Sequence, residues 1–185
     1  MKQNVKNEHQ PERTDPSHAA KSAPKQILIV CTGNICRSPM AEYILRARLG
    51  KDTDWKVASA GVAAVNGEPA SEDAVTVCRE LDLDLRQHGS QPVTRQLMEN
   101  SRWVVVMTEM HREVLARRFP EFHARIRLLK SFGFSEAFGD IPDPIGSPIE
   151  VYRTVRDMIE SAISDLVLFL MAQDGRVKPG KEHKT

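Results

Sequence analysis

Residues 26–38 read Gln-Ile-Leu-Ile-Val-Cys-Thr-Gly-Asn-Ile-Cys-Arg-Ser, and they decide the fold. The first five, Gln26 followed by four apolar residues, are rich in β-branched side chains, the pattern of a strand buried on both faces of a parallel sheet. A turn containing Gly33 follows. Pro39 then opens a stretch with helical spacing, in which Met40, Ile44, Leu45 and Leu49 share a face and Gly50 is a natural stop. Strand, turn and helix in this order open an α/β unit, whose ligand sits at the carboxyl end of the strand.

Outward from this unit the alternation continues. Residues 55–59 (Trp-Lys-Val-Ala-Ser) read as a second strand. Residues 71–83 are amphipathic, with Ala74, Val77, Cys78 and Leu81 on one face. Thr94 caps a short helix over Thr-Arg-Gln-Leu-Met-Glu-Asn. Residues 103–107 are a third strand, and Thr108 followed by Glu109 caps a helix running to about Phe119. Residues 126–129 are a fourth strand. A loop rich in glycine and proline covers residues 133–148. Ser147 at N-cap, Pro148 at N1 and Glu150 at N3 predict a capping box for the last helix. That helix carries Val151, Val155, Ile159, Ile163, Leu166 and Leu170 at three- and four-residue steps. The pattern predicts a single α/β domain over residues 26–171. Its sheet is four-stranded and parallel, with helices on both faces and the flavodoxin-like order 2-1-3-4. Residues 1–25 are polar, lack the apolar core of a secretory signal and read as a disordered tail. Residues 172–185 read as a polar C-terminal tail.

Composition narrows the function. The chain has 185 residues, 41% hydrophobic and 28% charged, with a formal net charge of +1. A nucleic-acid binder held by bulk charge is excluded, so any anion site must be local and geometric. No apolar run reaches the roughly 20 residues of a membrane-spanning helix. Three cysteines are too few and too odd a number for a disulfide framework. A reduced, cytoplasmic setting is expected, with cysteine used as a thiol.

Cys31 to Ser38 is cysteine, five residues, arginine, serine. A loop of backbone N–H groups closing on a helix N-terminus cradles phosphoryl oxygens. Thr32, Gly33, Asn34, Ile35, Cys36 and Ser38 would supply that cradle. Gly33 permits close backbone approach, and Asn34 tolerates left-handed backbone while its amide ties the loop. Cys31 lies where this positive field favours a thiolate nucleophile. Arg37 offers a planar fork for two phosphoryl oxygens, and the Ser38 hydroxyl can donate to the thiolate. The competing reading is a buried cysteine and a surface arginine, and it leaves the glycine and asparagine between strand and helix unexplained. A zinc reading of Cys31 and Cys36 has the wrong spacing and no further ligand pair. No metal or cofactor is expected. Thiol attack on a phosphate ester also needs an acid for the leaving group. Asp143, held by Pro144, is the first candidate, and Asp140 competes with it.

At this point Cys-Thr-Gly-Asn-Ile-Cys-Arg-Ser-Pro-Met-Ala-Glu, the Met-Thr-Glu turn at 107–109 and Asp143-Pro144-Ile145-Gly146 resemble the low-molecular-weight protein tyrosine phosphatases. The resemblance covers about residues 26–171. It implies a two-step hydrolysis that uses no metal: Cys31 as nucleophile, Arg37 as phosphoryl clamp and Asp143 as acid, then base. By position it also implies that Asn34 and Ser59 brace the loop and that His88 lies beside it. Cys36 matches a second loop cysteine able to form a reversible disulfide with Cys31. The implied partners are phosphorylated proteins, met by a monomer. Two departures bear on the substrate. Phosphotyrosine-specific members commonly place an aromatic after the Asp-Pro pair, where this chain has Ile145. Relatives that dephosphorylate protein arginine carry threonine where this chain has Ile35. Ile35 carries more weight because it sits beside the phosphorus, so phosphotyrosine is expected and phosphoarginine is the alternative. A non-catalytic phosphoprotein-binding module is the alternative from another class. A thiol-relay arsenate reductase would need further cysteines in a mobile segment. Cys78, Trp55 and Trp103 read as core, His111 and His123 as surface residues, and Val65 and Asn66 as candidates for the pocket mouth. Arg112, Arg117, Arg118, Arg125 and Arg127 read as a solvated face, and His9, His18 and His183 as tail residues.

Overall fold

The computed structural model describes residues 25–133 and 139–174. Nearly all of the expected N-terminal tail, the end of the C-terminal tail and part of the 133–148 loop lie outside the described residues, as do His9, His18 and His183.

The opening run forms β1 (Gln26–Cys31), and residues 27–30 have no exposed surface. Successive side chains of a strand point to opposite faces. Ile27, Ile29 and Cys31 accordingly enter one apolar cluster, while Leu28 and Val30 enter another. Apolar residues on both faces require cover on both faces, so β1 lies inside the sheet. Its neighbours are β2 (Lys56–Gly61) and β3 (Trp103–Val106), both parallel to it, and β4 (Ile126–Leu128) pairs with β3. The order is β2-β1-β3-β4, as the alternation predicts.

Among the described residues five α-helices cover this sheet: α1 (Arg37–Leu49), α2 (Glu72–Arg79), α3 (Arg95–Asn100), α4 (Glu109–Arg118) and α5 (Ile149–Gln173). The Ile27 face carries Met40, Ile44 and Leu45 of α1, Val77 and Cys78 of α2, and Val155, Ile159, Ile163 and Leu166 of α5. The Leu28 face carries Met98 of α3 and Leu115 of α4, with Phe119 and Phe122 just beyond. Burying such side chains contributes about 1.5–3 kcal/mol each.

Several boundaries differ from the sequence reading. β2 begins at Lys56 and runs to Gly61 because its ladder continues to the end of β1, where Cys31 pairs with Gly61. Helix α2 ends at Arg79, and Asp82 turns the chain with φ 60°, so Leu81 and Leu83 pack from a turn. Helix α5 shows no capping box. Pro148, with extended backbone, is the N-cap, no side chain caps the end, and Ser147 N donates to Pro144 O at 2.9 Å. Proline fixes φ but supplies no acceptor side chain. The helix runs to Gln173, and Trp55 Nε1 donates to Asp174 at 3.0 Å, which ties its end to the start of β2.

Candidate active site

Residues 32–36 join the end of β1 to the start of α1, at the carboxyl edge of the sheet. Asn34 takes the left-handed conformation, φ 57°, which reverses the chain. Its N–H donates to Cys31 Sγ at 3.3 Å. The loop lies against the strand beside it: Val62 N and Ala63 N donate to Cys31 O and Thr32 O, each at 3.0 Å. This approach needs Gly61. A Cβ there would overlap the Thr32 carbonyl oxygen and stand 3.0 Å from Asn34 N. Glycine at 61 was missed from sequence, although a glycine ending a strand next to the loop strand is a signal of close approach.

The Asn34 side chain knots the loop. Its Nδ2 donates to Ser38 Oγ at 2.9 Å and to Ser59 Oγ at 2.8 Å, and its Oδ1 accepts from Gln91 N at 2.9 Å. Ser59 donates in turn to the buried carboxylate of Glu42. Ser38 Oγ lies 3.0 Å from Cys31 Sγ and also donates to Ala60 O at 3.5 Å. His88 Nε2 lies 2.7 Å from Asn34 O. Thus Asn34, Ser59, Ser38 and His88 come together. Glu42 and Gln91 belong with them and were not singled out from sequence.

Helix α1 begins with no side-chain cap and no acidic residue in its first turn, which leaves its N-terminal N–H groups and dipole for an anion. Arg37, the first residue of α1, is 3% exposed. It donates to Ile141 O at 3.3 Å and to Thr32 Oγ1 at 3.2 Å, and it pairs with the carboxylate of Asp143. Its Nε is buried without a partner among the described residues.

The late loop is aimed by its backbone. Ile141 is fully buried, and its N–H donates to Met107 O at 2.8 Å, at the end of β3. Asp143 then reaches the loop of β1. Asp140 points elsewhere, accepting from Glu109 N at 2.8 Å at the start of α4. The geometry therefore separates the two candidate acids. Cys31, Thr32, Gly33, Ile35, Cys36, Arg37, Asp143 and Ile145 line one cavity of about 130 Å³. Val65 is 65% exposed, and neither it nor Asn66 lines that cavity.

Cys36 turns away from solvent. Its thiol donates to Ser71 Oγ at 3.2 Å and lies 3.6 Å from Tyr152 OH, and burial pushes its pKa up. Tyr152 is another residue missed from sequence; burial pushes its hydroxyl up to about 12. Cys78 is fully buried, as expected, and its thiol is likewise pushed up to about 12. All three cysteines are free thiols. Trp103 is only partly buried, with Arg127 stacked over its ring at 5.2 Å. His123 is exposed, but His111 corrects the sequence reading: it is fully buried. Thr108 caps α4, accepting from His111 N at 3.3 Å, and the first turn of the helix carries the imidazole inward toward the loop of β1.

Comparison with known proteins finds related phosphatases. The curated protein-arginine-phosphatase of Geobacillus stearothermophilus is 41% identical over 143 residues, 77% of this chain and 94% of that protein. The low-molecular-weight protein-tyrosine-phosphatase Wzb of Escherichia coli K12 is 35% identical over 134 residues, 72% of this chain and 87% of that protein. The solved structure of the YwlE arginine phosphatase from Geobacillus stearothermophilus superposes with a TM-score of 0.77 at 38% identity, covering 85% of this chain and 99% of that one. The family described as low molecular weight phosphotyrosine protein phosphatase matches residues 26–176, and the chain belongs to it.

Proposed function

We propose that this chain hydrolyses phosphotyrosine in protein substrates through a cysteinyl-phosphate on Cys31. The convergence of Cys31, Arg37 and Asp143 on one small cavity carries the reading. The unpartnered Nε of a buried guanidinium supports it, because such a donor suits an anion supplied from outside.

In the first step the Cys31 thiolate attacks phosphorus, and Asp143, as the acid, gives its proton to the departing phenolic oxygen. Arg37 and the loop N–H groups hold the equatorial oxygens, whose charge grows in the transition state. Phosphoryl oxygens compete with Asp143 for Arg37, so substrate binding releases the carboxyl to face the leaving group. In the second step Asp143, now carboxylate, takes a proton from water. The water oxygen attacks phosphorus, the S–P bond breaks, and the Cys31 thiolate is restored as phosphate leaves. The Ser38 hydroxyl, 3.0 Å from Sγ, can donate to that thiolate and steady it. Nucleophile, clamp and acid together favour an enzyme over a binding module. Action in the cytoplasm as a monomer belongs to the same reading, supported by the near-neutral charge and the three free thiols.

The substrate follows from the rim. Ile35 lines the cavity beside Cys31, and a branched aliphatic side chain there suits the face of an aryl ring, whereas Ile145, also on the rim, stands where phosphotyrosine-specific relatives carry an aromatic and pulls the other way. A guanidinium leaving group carries N–H donors that such a rim leaves unpaired. Identity to the arginine phosphatase favours phosphoarginine as a second reading. Comparing kcat/KM on phosphotyrosine and phosphoarginine peptides, for wild type and Ile35→Thr, separates them. Wild type preferring phosphotyrosine, with the ratio moving toward phosphoarginine in Ile35→Thr, upholds the first reading. Wild type preferring phosphoarginine overturns it.

A further inference from the structure

His111 has no part in the scheme above, yet both of its ring nitrogens are committed. Nδ1 lies 2.9 Å from Thr108 Oγ1, and Nε2 lies 2.9 Å from Thr32 Oγ1. Thr32 Oγ1 also accepts from Arg37 at 3.2 Å. A line of three hydrogen bonds therefore connects the cap of α4 to the guanidinium of α1, through a fully buried imidazole.

We propose that His111 is a positioning residue for phosphoryl binding, acting through the Thr32 hydroxyl to fix the plane of the Arg37 guanidinium. Arg37 is the group that must be held. Its described partners are Ile141 O, Thr32 Oγ1 and Asp143. Asp143 must leave when it serves the leaving group, so Thr32 and Ile141 are the anchors that persist through the reaction. An anchor holds direction only if it is itself held. A threonine hydroxyl rotates freely unless its hydrogen has an acceptor, and in the tautomer with its hydrogen on Nδ1, His111 Nε2 is that acceptor, 2.9 Å away. All donors then run one way: Arg37 N–H to Thr32 oxygen, Thr32 O–H to His111 Nε2, and His111 Nδ1–H to Thr108 oxygen. Chains ordered in this way strengthen each bond.

The scheme needs a neutral ring, since an imidazolium would donate from both nitrogens and leave the Thr32 hydrogen without an acceptor. The surroundings favour neutrality. Burial, with Arg37 nearby, pushes His111 down to about 4, outweighing the opposite pull of Asp143 and Asp140.

The inference rests on the phosphatase reading of the Cys31 loop, and the test keeps the two apart. Inorganic phosphate affinity and kcat and KM on an aryl phosphate are measured for wild type, Thr32→Val, His111→Leu, the double variant and Thr32→Ser. Thr32→Val should bind phosphate about tenfold more weakly, the scale of a lost hydrogen bond to a charged group. His111→Leu should lose a similar factor, the double variant no more than the worse single one, and Thr32→Ser should recover binding. A purely structural His111 would lower the melting temperature without this shared loss. Phosphate affinity unchanged in Thr32→Val, or losses that multiply in the double variant, would overturn the proposal. If His111→Leu does not fold, His111→Phe, a ring without nitrogens, takes its place in the cycle and is read by the same outcomes. If wild type binds phosphate without turnover, the phosphatase reading falls, while the cycle still judges His111 by affinity.

Discussion

Asp143 and Arg37, 106 residues apart in the chain, are ion-paired at the cavity that holds Cys31. The pair brings together the two ends of the domain. One end is the loop after the first strand. The other is a loop stitched by Ile141 to the end of β3.

That placement separates two aspartates three residues apart. Asp143→Asn should lower turnover by about a hundredfold or more, the usual range for a lost general acid. Asp140→Ala should leave kcat within a few-fold and cost about 1 kcal/mol of stability, because it removes an acceptor at the start of α4. Steady-state kinetics and chemical denaturation of both variants check this.

Gly61 should tolerate no side chain. Gly61→Ala drives a methyl into the backbone of Thr32, so the loop or β2 must shift at a cost of about 1–3 kcal/mol. Turnover should fall with stability, because the displaced backbone is the start of the phosphate loop. Denaturant midpoints read beside kcat/KM test the link.

Asn34 combines a left-handed backbone with three side-chain hydrogen bonds. Asn34→Ala should cost about 3 kcal/mol, since it strains the turn and leaves buried partners unmatched. Asn34→Gly should recover the backbone part only. Equal losses in the two variants would show that the bonds alone matter.

The depressed His111 predicts an acid-side loss of stability. The unfolded chain binds this proton below about pH 6.5 and the folded chain only below about 4, so stability rises with pH between those values. The contribution is fully present above about pH 6.5 and should shrink by roughly 3 kcal/mol on acidification through that window. His111→Asn should flatten this part of the profile. Denaturation from pH 4 to pH 7 measures it.

Much of this was legible in sequence because the signals are local. The short, β-branched apolar run over residues 27–30, followed at once by a glycine-containing turn, reads as an inner strand, and Cys31, Gly33, Asn34, Arg37 and Ser38 follow directly on it. Asp143 needed more. Pro144 marked a constrained loop, but only the burial of Ile141 explains why this aspartate reaches Arg37 and Asp140 does not. His111 was misread because its meaning is not local: nothing in residues 107–119 shows that the first turn of α4 faces the loop of β1. Tyr152 and Gly61 were missed for the same reason, since each acts on a neighbour distant in sequence. The capping box at Ser147 failed where proline displaced the start of the helix by one residue.

The central claim is that phosphorus passes through the Cys31 sulfur. Rapid quench of the enzyme during turnover of an aryl phosphate, followed by mass spectrometry of its peptides, tests this most directly. The account predicts a phosphoryl adduct on the peptide carrying Cys31, accumulating in Asp143→Asn if the second step slows more than the first, and no turnover in Cys31→Ser. Aryl phosphate hydrolysis by Cys31→Ser at the wild-type rate, with no adduct on that peptide, would contradict it.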